Sequence, residues 1–147
     1  MRLSNYTDYS FRVLIYLAAR QENGDLATIR EISEVYSISK NHLVKVVHQL
    51  SKRGYLETST GKNGGIRLGM PAARINLGTI VKEMETSFNL VDCHVGSKGC
   101  IIGKNCQLEG IIQKSLQAFL GEMSQYTLED ITSNKRELAG IFAGYLK

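Results

Sequence analysis

The sequence predicts a mainly α-helical protein with a small β-hairpin wing: a winged helix-turn-helix followed by a long dimerisation helix. Three observations carry this expectation. Two short helical patterns meet at Ser37-Ile38-Ser39, a basic glycine-rich hairpin follows them directly, and one long apolar-striped helix lies near the C-terminus. The 147 residues then divide into a DNA-binding domain over 1–75, a connecting helix and cysteine loop over 76–106, and a dimerisation helix with tail over 107–147.

Phe11, Leu14, Ile15 and Ala18 recur at helical spacing, predicting a first helix with Thr7 as its N-cap. Asp8 then falls in the first turn, where negative charge suits the helix dipole. Gly24-Asp25 marks a break. Thr28-Ile29-Arg30-Glu31 reads as a capping box, with Ala27 stapling against Ile32. Ile29, Ile32, Val35 and Tyr36 make one face of the second helix, which stops at Ser37-Ile38-Ser39.

Ser39 caps the third helix. Its buried stripe is Leu43, Val46, Val47 and Leu50, and its opposite face carries Asn41, Lys45, His48 and Lys52. Two short helices joined by a tight turn, the second with a basic polar face, form the helix-turn-helix layout. The second helix of that layout enters the major groove with its N-terminal residues towards the bases. Ser39, Lys40, Asn41, His42 and Lys45 are therefore candidates for base edges and phosphates, with Lys52 further along the same helix. The alternative is that Lys45 and Lys52 only solubilise an exposed face.

Gly54 suits a helix C-terminus, and Tyr55 to Ser59 is strand-like. A turn through Gly61-Lys62-Asn63-Gly64-Gly65 leads to a second strand, Ile66-Arg67-Leu68. Lys62 and Asn63 at the tip, with Arg67 on the returning strand, are candidates for phosphate or minor-groove contacts. A nucleotide-binding P-loop is excluded, because Gly61-Lys62-Asn63 opens a strand where a P-loop needs Gly-Lys-Ser/Thr opening a helix.

Charge agrees with this reading. Lys and Arg number 18 against 14 Asp and Glu, a net charge of only +4, but the excess is local. Between Ser39 and Arg74, seven basic residues face Glu57 alone, and a concentrated basic segment suits a polyanion partner. The longest charge-free stretch is nine residues, Leu138–Leu146, whereas a membrane span needs about 20. Arg2, Asp8, Arg12 and Arg20 interrupt any apolar core of a secretory signal. Three thiols that cannot all pair within one chain suit a reducing, cytoplasmic setting.

Asn76 caps a connecting helix with Leu77, Ile80, Val81 and Met84 on its apolar face. After Thr86 a loop holds Cys93, Cys100 and Cys106, with Gly96, Gly99 and Gly103 between them. Three clustered thiols point to a metal. Structural zinc favours closer spacing and four protein ligands, while wider, unequal spacing suits an iron–sulfur cluster. His94 adjoins Cys93, and adjacent side chains rarely converge on one atom. Glu109 lies three residues after Cys106, and Asp8 reaches the site only through the fold or a partner subunit. Spacing does not choose a fourth ligand among them.

From Gln107 to about Gln125 the positions Leu108, Ile112, Leu116, Phe119, Met123 and Tyr126 form a stripe widened by Ile111, Ala118 and Leu120. That is more apolar surface than a small winged domain covers, so a homodimer is expected. Thr127-Leu128-Glu129-Asp130 caps a final helix, and the apolar end Leu138–Leu146 is expected to dock onto the dimer.

The chain resembles the NsrR-type nitric-oxide-sensing repressors, within the larger group that includes IscR, the Rrf-two superfamily. The resemblance rests on Met1-Arg2-Leu3-Ser4-Asn5-Tyr6-Thr7-Asp8-Tyr9, Ser39-Lys40-Asn41-His42-Leu43-Val44-Lys45, Gly61-Lys62-Asn63-Gly64-Gly65-Ile66-Arg67-Leu68-Gly69, the three cysteines, and Tyr126-Thr127-Leu128-Glu129-Asp130. It implies a homodimeric repressor of promoter DNA whose iron–sulfur cluster is destroyed or modified by nitric oxide. By position it implies Cys93, Cys100 and Cys106 as cluster ligands, with Asp8 supplied across the dimer as the fourth. A 4Fe–4S cluster is favoured and 2Fe–2S is the alternative, since three cysteines and one other ligand hold either. IscR-type members carry a His three residues after the third cysteine; Glu109 stands there in this chain. Many relatives also carry an Arg just before the wing glycine, where this chain has Thr60, which shifts wing contacts towards Lys62 and Arg67.

Two further regulators fit the same residues: one whose cysteine loop holds zinc or cycles between thiol and disulfide, and an IscR-like iron–sulfur homeostasis regulator. An oxidoreductase does not fit, because there is no C-x-x-C, no nucleotide fingerprint and no paired catalytic His and Cys.

Overall fold

The structure, a computed structural model, describes residues 1–20, 24–91 and 100–146. In chain order it comprises α1 (Asn5–Arg20), α2 (Ile29–Tyr36), α3 (Lys40–Lys52), β1 (Leu56–Ser59), β2 (Gly65–Leu68), α4 (Leu77–Met84), α5 (Leu108–Met123), α6 (Leu128–Ile131) and α7 (Lys135–Ala143). Short 3₁₀ turns cover Ala72–Arg74 and Gly103–Asn105. Among the described residues no helix is long and apolar enough to cross a membrane.

Helix α1 is the central element and packs against α2, α3, α4, α6, α7 and β2. Its Val13, Leu14, Tyr16 and Leu17 join Ile32 of α2 and Leu43, Val46 and Leu50 of α3 in the main core. The helix begins two residues before the expected cap. Ser4 Oγ accepts the Thr7 N–H, while Thr7 itself is fully buried and donates its hydroxyl to Glu85 Oε2 at 2.6 Å. Both Ser4 and Thr7 are cap-type residues; a partner 78 positions away decides between them.

The other local signals appear as read. Thr28 and Glu31 form a reciprocal capping box, Ser39 Oγ accepts the His42 N–H, and Asn76 Oδ1 accepts the Thr79 N–H. Ser37 takes the left-handed conformation (φ 53°) at the end of α2, letting the chain reverse into α3 within three residues. In the wing, β1 and β2 pair antiparallel with Glu57 opposite Arg67 and Thr58 opposite Ile66. Ala27 and Ile66 exchange both backbone hydrogen bonds, at 2.9 and 2.7 Å, tying the wing to the segment before α2. Gly65 allows this, since a Cβ there would lie 2.6 Å from the Ala27 carbonyl oxygen.

Helix α4 packs on α5 through a smaller core of Val81, Leu116 and Leu120. The expected stripe of α5 is only partly used within the chain. Leu108 is 55% exposed and Ile111 60%, and Phe119 and Tyr126 are also exposed. The final helical region is split into α6 and α7. The apolar end packs on the first helices of its own chain: Phe142 is buried with its ring 5.0 Å from Tyr16 and 5.7 Å from Tyr36.

Candidate nucleic-acid interface and cysteine site

Helix α3 presents one face to the core and the rest to solvent. Leu43, Val46, Val47 and Leu50 are buried, while Lys40, Asn41, His42, Val44, Lys45, His48 and Lys52 are exposed. Ser39 is occupied as the N-cap, so its hydroxyl orients the first turn. The exposed set contains donors for phosphates and purine edges. It also contains one group to which the sequence reading gave no role: Val44, 51% exposed, an apolar side chain of the type that meets a thymine methyl. The signal was present, since Val44 falls outside the Leu43-Val46-Val47-Leu50 stripe.

The wing tip holds Lys62 and Asn63, both exposed. Arg67 is on the outer face of β2, but it is not a free cation. Its guanidinium donates to Glu57 Oε2 at 2.8 and 2.9 Å across the hairpin. Among the described residues Lys40, Lys45, Lys52 and Lys62 form no ion pair, so α3 and the wing tip carry unpaired positive charge.

Helix α1 braces α3 from the side. The Tyr6 hydroxyl donates to the Lys45 carbonyl at 3.1 Å, and the Tyr9 and His42 rings face each other at 6.1 Å. Residues three apart on a helix share a face, so Tyr6 and Tyr9 could have been paired from spacing alone. What they touch could not. On another face of α1, Arg12 Nε donates to Asp8 Oδ2 at 3.0 Å, and the same guanidinium lies 5.5 Å over the Tyr36 ring. Burial, little offset by Arg12, raises the Tyr36 pKa to about 12.

Of the cysteines, Cys100 is exposed and Cys106 half-buried, both as free thiols near the start of α5. Cys106 ends the 3₁₀ turn Gly103–Asn105, and the Gly103 N–H donates to the Cys100 carbonyl at 3.2 Å. Cys93 and His94 lie outside the described residues. Glu109 is half-buried in the first turn of α5. Among the described residues no three His, Cys, Asp or Glu side chains form a group able to hold a metal ion. Thiols are the ligand type that iron–sulfur clusters take, so Cys100 and Cys106 are consistent in chemistry with such a group.

Comparison with known proteins agrees with this architecture. The Rrf2 family, described as an iron-dependent transcriptional regulator, matches residues 3–134. The chain is 50% identical over 136 residues to the HTH-type transcriptional regulator NsrR of Bacillus licheniformis, covering 92% of this chain and 94% of that protein. It is 48% identical over 139 residues to the NsrR of Bacillus subtilis, covering 94% of each. Among solved structures, T. potens IscR superposes with a TM-score of 0.72 at 18% identity, over 94% of this chain and 90% of that one. CymR, the global cysteine regulator of B. subtilis, gives 0.66 at 23% identity, over 91% and 98%. At those identities the two structures establish the fold.

Proposed function

Because the chain belongs to the Rrf2 family of transcriptional regulators, and so to a group of DNA-binding proteins rather than enzymes, we propose that it is a homodimeric repressor that senses nitric oxide through an iron–sulfur cluster. The observation that carries this reading is its overall identity of about half with NsrR proteins over nearly the whole chain. In this reading residues 1–75 read promoter DNA, 76–106 carry the cysteines and 107–147 dimerise.

Cys93, Cys100 and Cys106 would hold the cluster, 4Fe–4S in preference to 2Fe–2S, with Asp8 of the partner subunit as the fourth ligand. When bound, such a cluster supplies iron at an oxygen-ligated corner, which a carboxylate holds less firmly than a thiolate would. The apolar residues left exposed on α5 support a second copy as their cover.

The chain's own residues supply the coupling. Asp8 lies on the same first turns of α1 that brace α3 through Tyr6. Holding Asp8 therefore holds α1, and with it the recognition helix. A dimer must set its two recognition helices about 34–36 Å apart, or a multiple of that, to read one face of DNA. Ser39, Lys40, Asn41, His42, Lys45 and Lys52 of α3, with Lys62, Asn63 and Arg67 of the wing, are the proposed contacts.

Protein purified without oxygen is expected to contain iron and acid-labile sulfide in equal amounts, with visible absorption that nitric oxide bleaches as DNA is released. Zinc in their place, or no metal after reconstitution, overturns the cluster. Asp8→Ala is expected to weaken both cluster retention and cluster-dependent DNA binding. If that variant keeps both, the fourth ligand is another residue, with Glu109 next to be tested.

A further inference from the structure

Between the amino end of α1 and the recognition helix α3 lies a cleft of about 220 Å³, lined by Asn5, Tyr6, Tyr9, His42, Lys45 and Val46. Val46 is its buried apolar wall; the other five side chains all end in groups that can donate a hydrogen bond. The Tyr6 hydroxyl is already given to the Lys45 carbonyl, which fixes the two helices against each other. Of the remaining lining residues, the Asn5 amide, the Tyr9 phenol, the His42 imidazole and the Lys45 ammonium make no side-chain hydrogen bond among the described residues, so their donors are uncommitted.

No carboxylate lines the cleft, and none of the ion pairs among the described residues involves Lys45. The one acidic residue on this part of α1, Asp8, is engaged by Arg12. A concave site bordered by several donor-bearing side chains and one unpaired cation, with no acceptor charge, is complementary to an anion. Its position narrows which anion. The cleft flanks the exposed face of α3, where the sugar–phosphate strand bordering a groove runs past a helix seated in it.

We propose that this cleft seats a phosphate of the DNA backbone, with Tyr9 and Lys45 as principal donors and Asn5 completing the seat. The inference rests on the DNA-binding reading above and adds α1 to the contact surface. Phosphate contacts fix register and orientation without reading sequence. Tyr9 and Asn5 therefore set how α3 enters the groove, and the Tyr6 link makes α1 and α3 dock as one unit.

The test uses the full-length protein and a labelled DNA duplex of randomised sequence, titrated over a range of salt. Tyr9→Phe, which keeps the ring, is expected to weaken binding about three- to tenfold at every salt concentration. The slope of log affinity against log salt is expected to stay unchanged, since the phenol carries no charge. Lys45→Ala is expected to weaken binding and reduce that slope by about 0.9, one phosphate contact. Asn5→Ala is expected to weaken binding less, and unchanged melting temperatures for all three separate contact from folding. If Tyr9→Phe and Asn5→Ala both bind like the parent while Lys45→Ala does not, the seat is refuted and α3 alone touches the strand. If the parent protein itself fails to bind duplex at low salt, the DNA-binding reading falls, and this inference with it.

Discussion

Thr7 and Glu85 join the first turns of α1 to the end of α4 through a 2.6 Å hydrogen bond from hydroxyl to carboxylate. The same carboxylate accepts the Ser4 N–H at 3.0 Å and the Ser4 hydroxyl at 3.1 Å. Glu85 thus acts as a remote cap, placing negative charge at the positive end of α1. Hydrogen bonds to a charged partner contribute about 1.5–3 kcal/mol each when not fully exposed. Glu85→Ala is expected to destabilise the fold by about 2–3 kcal/mol, and Thr7→Val by somewhat less, measured by denaturant unfolding. An unchanged midpoint for both would mean the carboxylate is equally satisfied by water.

Gly78 marks where α4 crosses the end of α5. A Cβ there would stand 2.7 Å from the Ser124 backbone nitrogen and 2.8 Å from its Cα, so relief requires backbone movement. The crossing is fixed from both sides: Asn76 Nδ2 donates to the Ser124 carbonyl at 2.7 Å, and the Leu128 N–H donates to the Ile75 carbonyl at 2.8 Å. Gly78→Ala should cost about 1–3 kcal/mol, the range for overpacking a well-filled contact. Calorimetry on the variant checks this.

On the wing, Glu57 neutralises the one arginine of the hairpin. Exposed ion pairs contribute little to stability, so Glu57→Gln is expected to leave the melting temperature nearly unchanged. Its effect should appear in DNA binding. With Arg67 released, non-specific affinity should rise and the salt slope should steepen by up to about 0.9. A variant that binds no more tightly would show that Arg67 does not reach the backbone.

Two tyrosines predict the alkaline limit of the fold. Burial raises Tyr36 to about 12; burial, reinforced by the Glu83 carboxylate that accepts its hydroxyl at 2.8 Å, does the same for Tyr55. Both pKa values are raised above the ordinary value near 10. The folded state therefore keeps protons that the unfolded chain releases. Their contribution is fully present below pH 10 and is lost as pH rises from about 10 to 12. Unfolding followed across that window should show the loss, and Tyr55→Phe should shrink it. A profile unaffected by that substitution would assign the loss to other groups.

What the sequence disclosed depends on how far apart the partners are. Thr28, Ser39, Asn76 and Thr127 could all be recognised as caps because each acts on a backbone N–H three residues ahead. The stripe of α3 was equally legible, being a property of one helix. Thr7 has the local features of a cap, but Glu85, 78 positions away, claims its hydroxyl and Ser4 caps the helix instead. The Arg67–Glu57 pair follows from a hairpin register that glycine-rich turns leave open until the Ala27–Ile66 bridge sets it. In α5 the stripe was visible, but which part of it serves the chain's own core was not. For the cysteines, residue type alone says that a thiol can ligate a metal, whereas a ligand set requires convergence in space, and Cys93 lies outside the described residues.

Phe142 closes the aromatic cluster over Tyr16 and Tyr36, so the core surrounding α1 is finished by a side chain from α7, more than a hundred positions along the chain from the rings it covers. The helix-turn-helix half therefore does not complete its own core. Without α7 the two tyrosine rings would lose their cover and an apolar gap would stand beside α1. Both ends of the described chain thus fold as one cooperative unit, and a boundary drawn after the wing would cut through the core, not between domains.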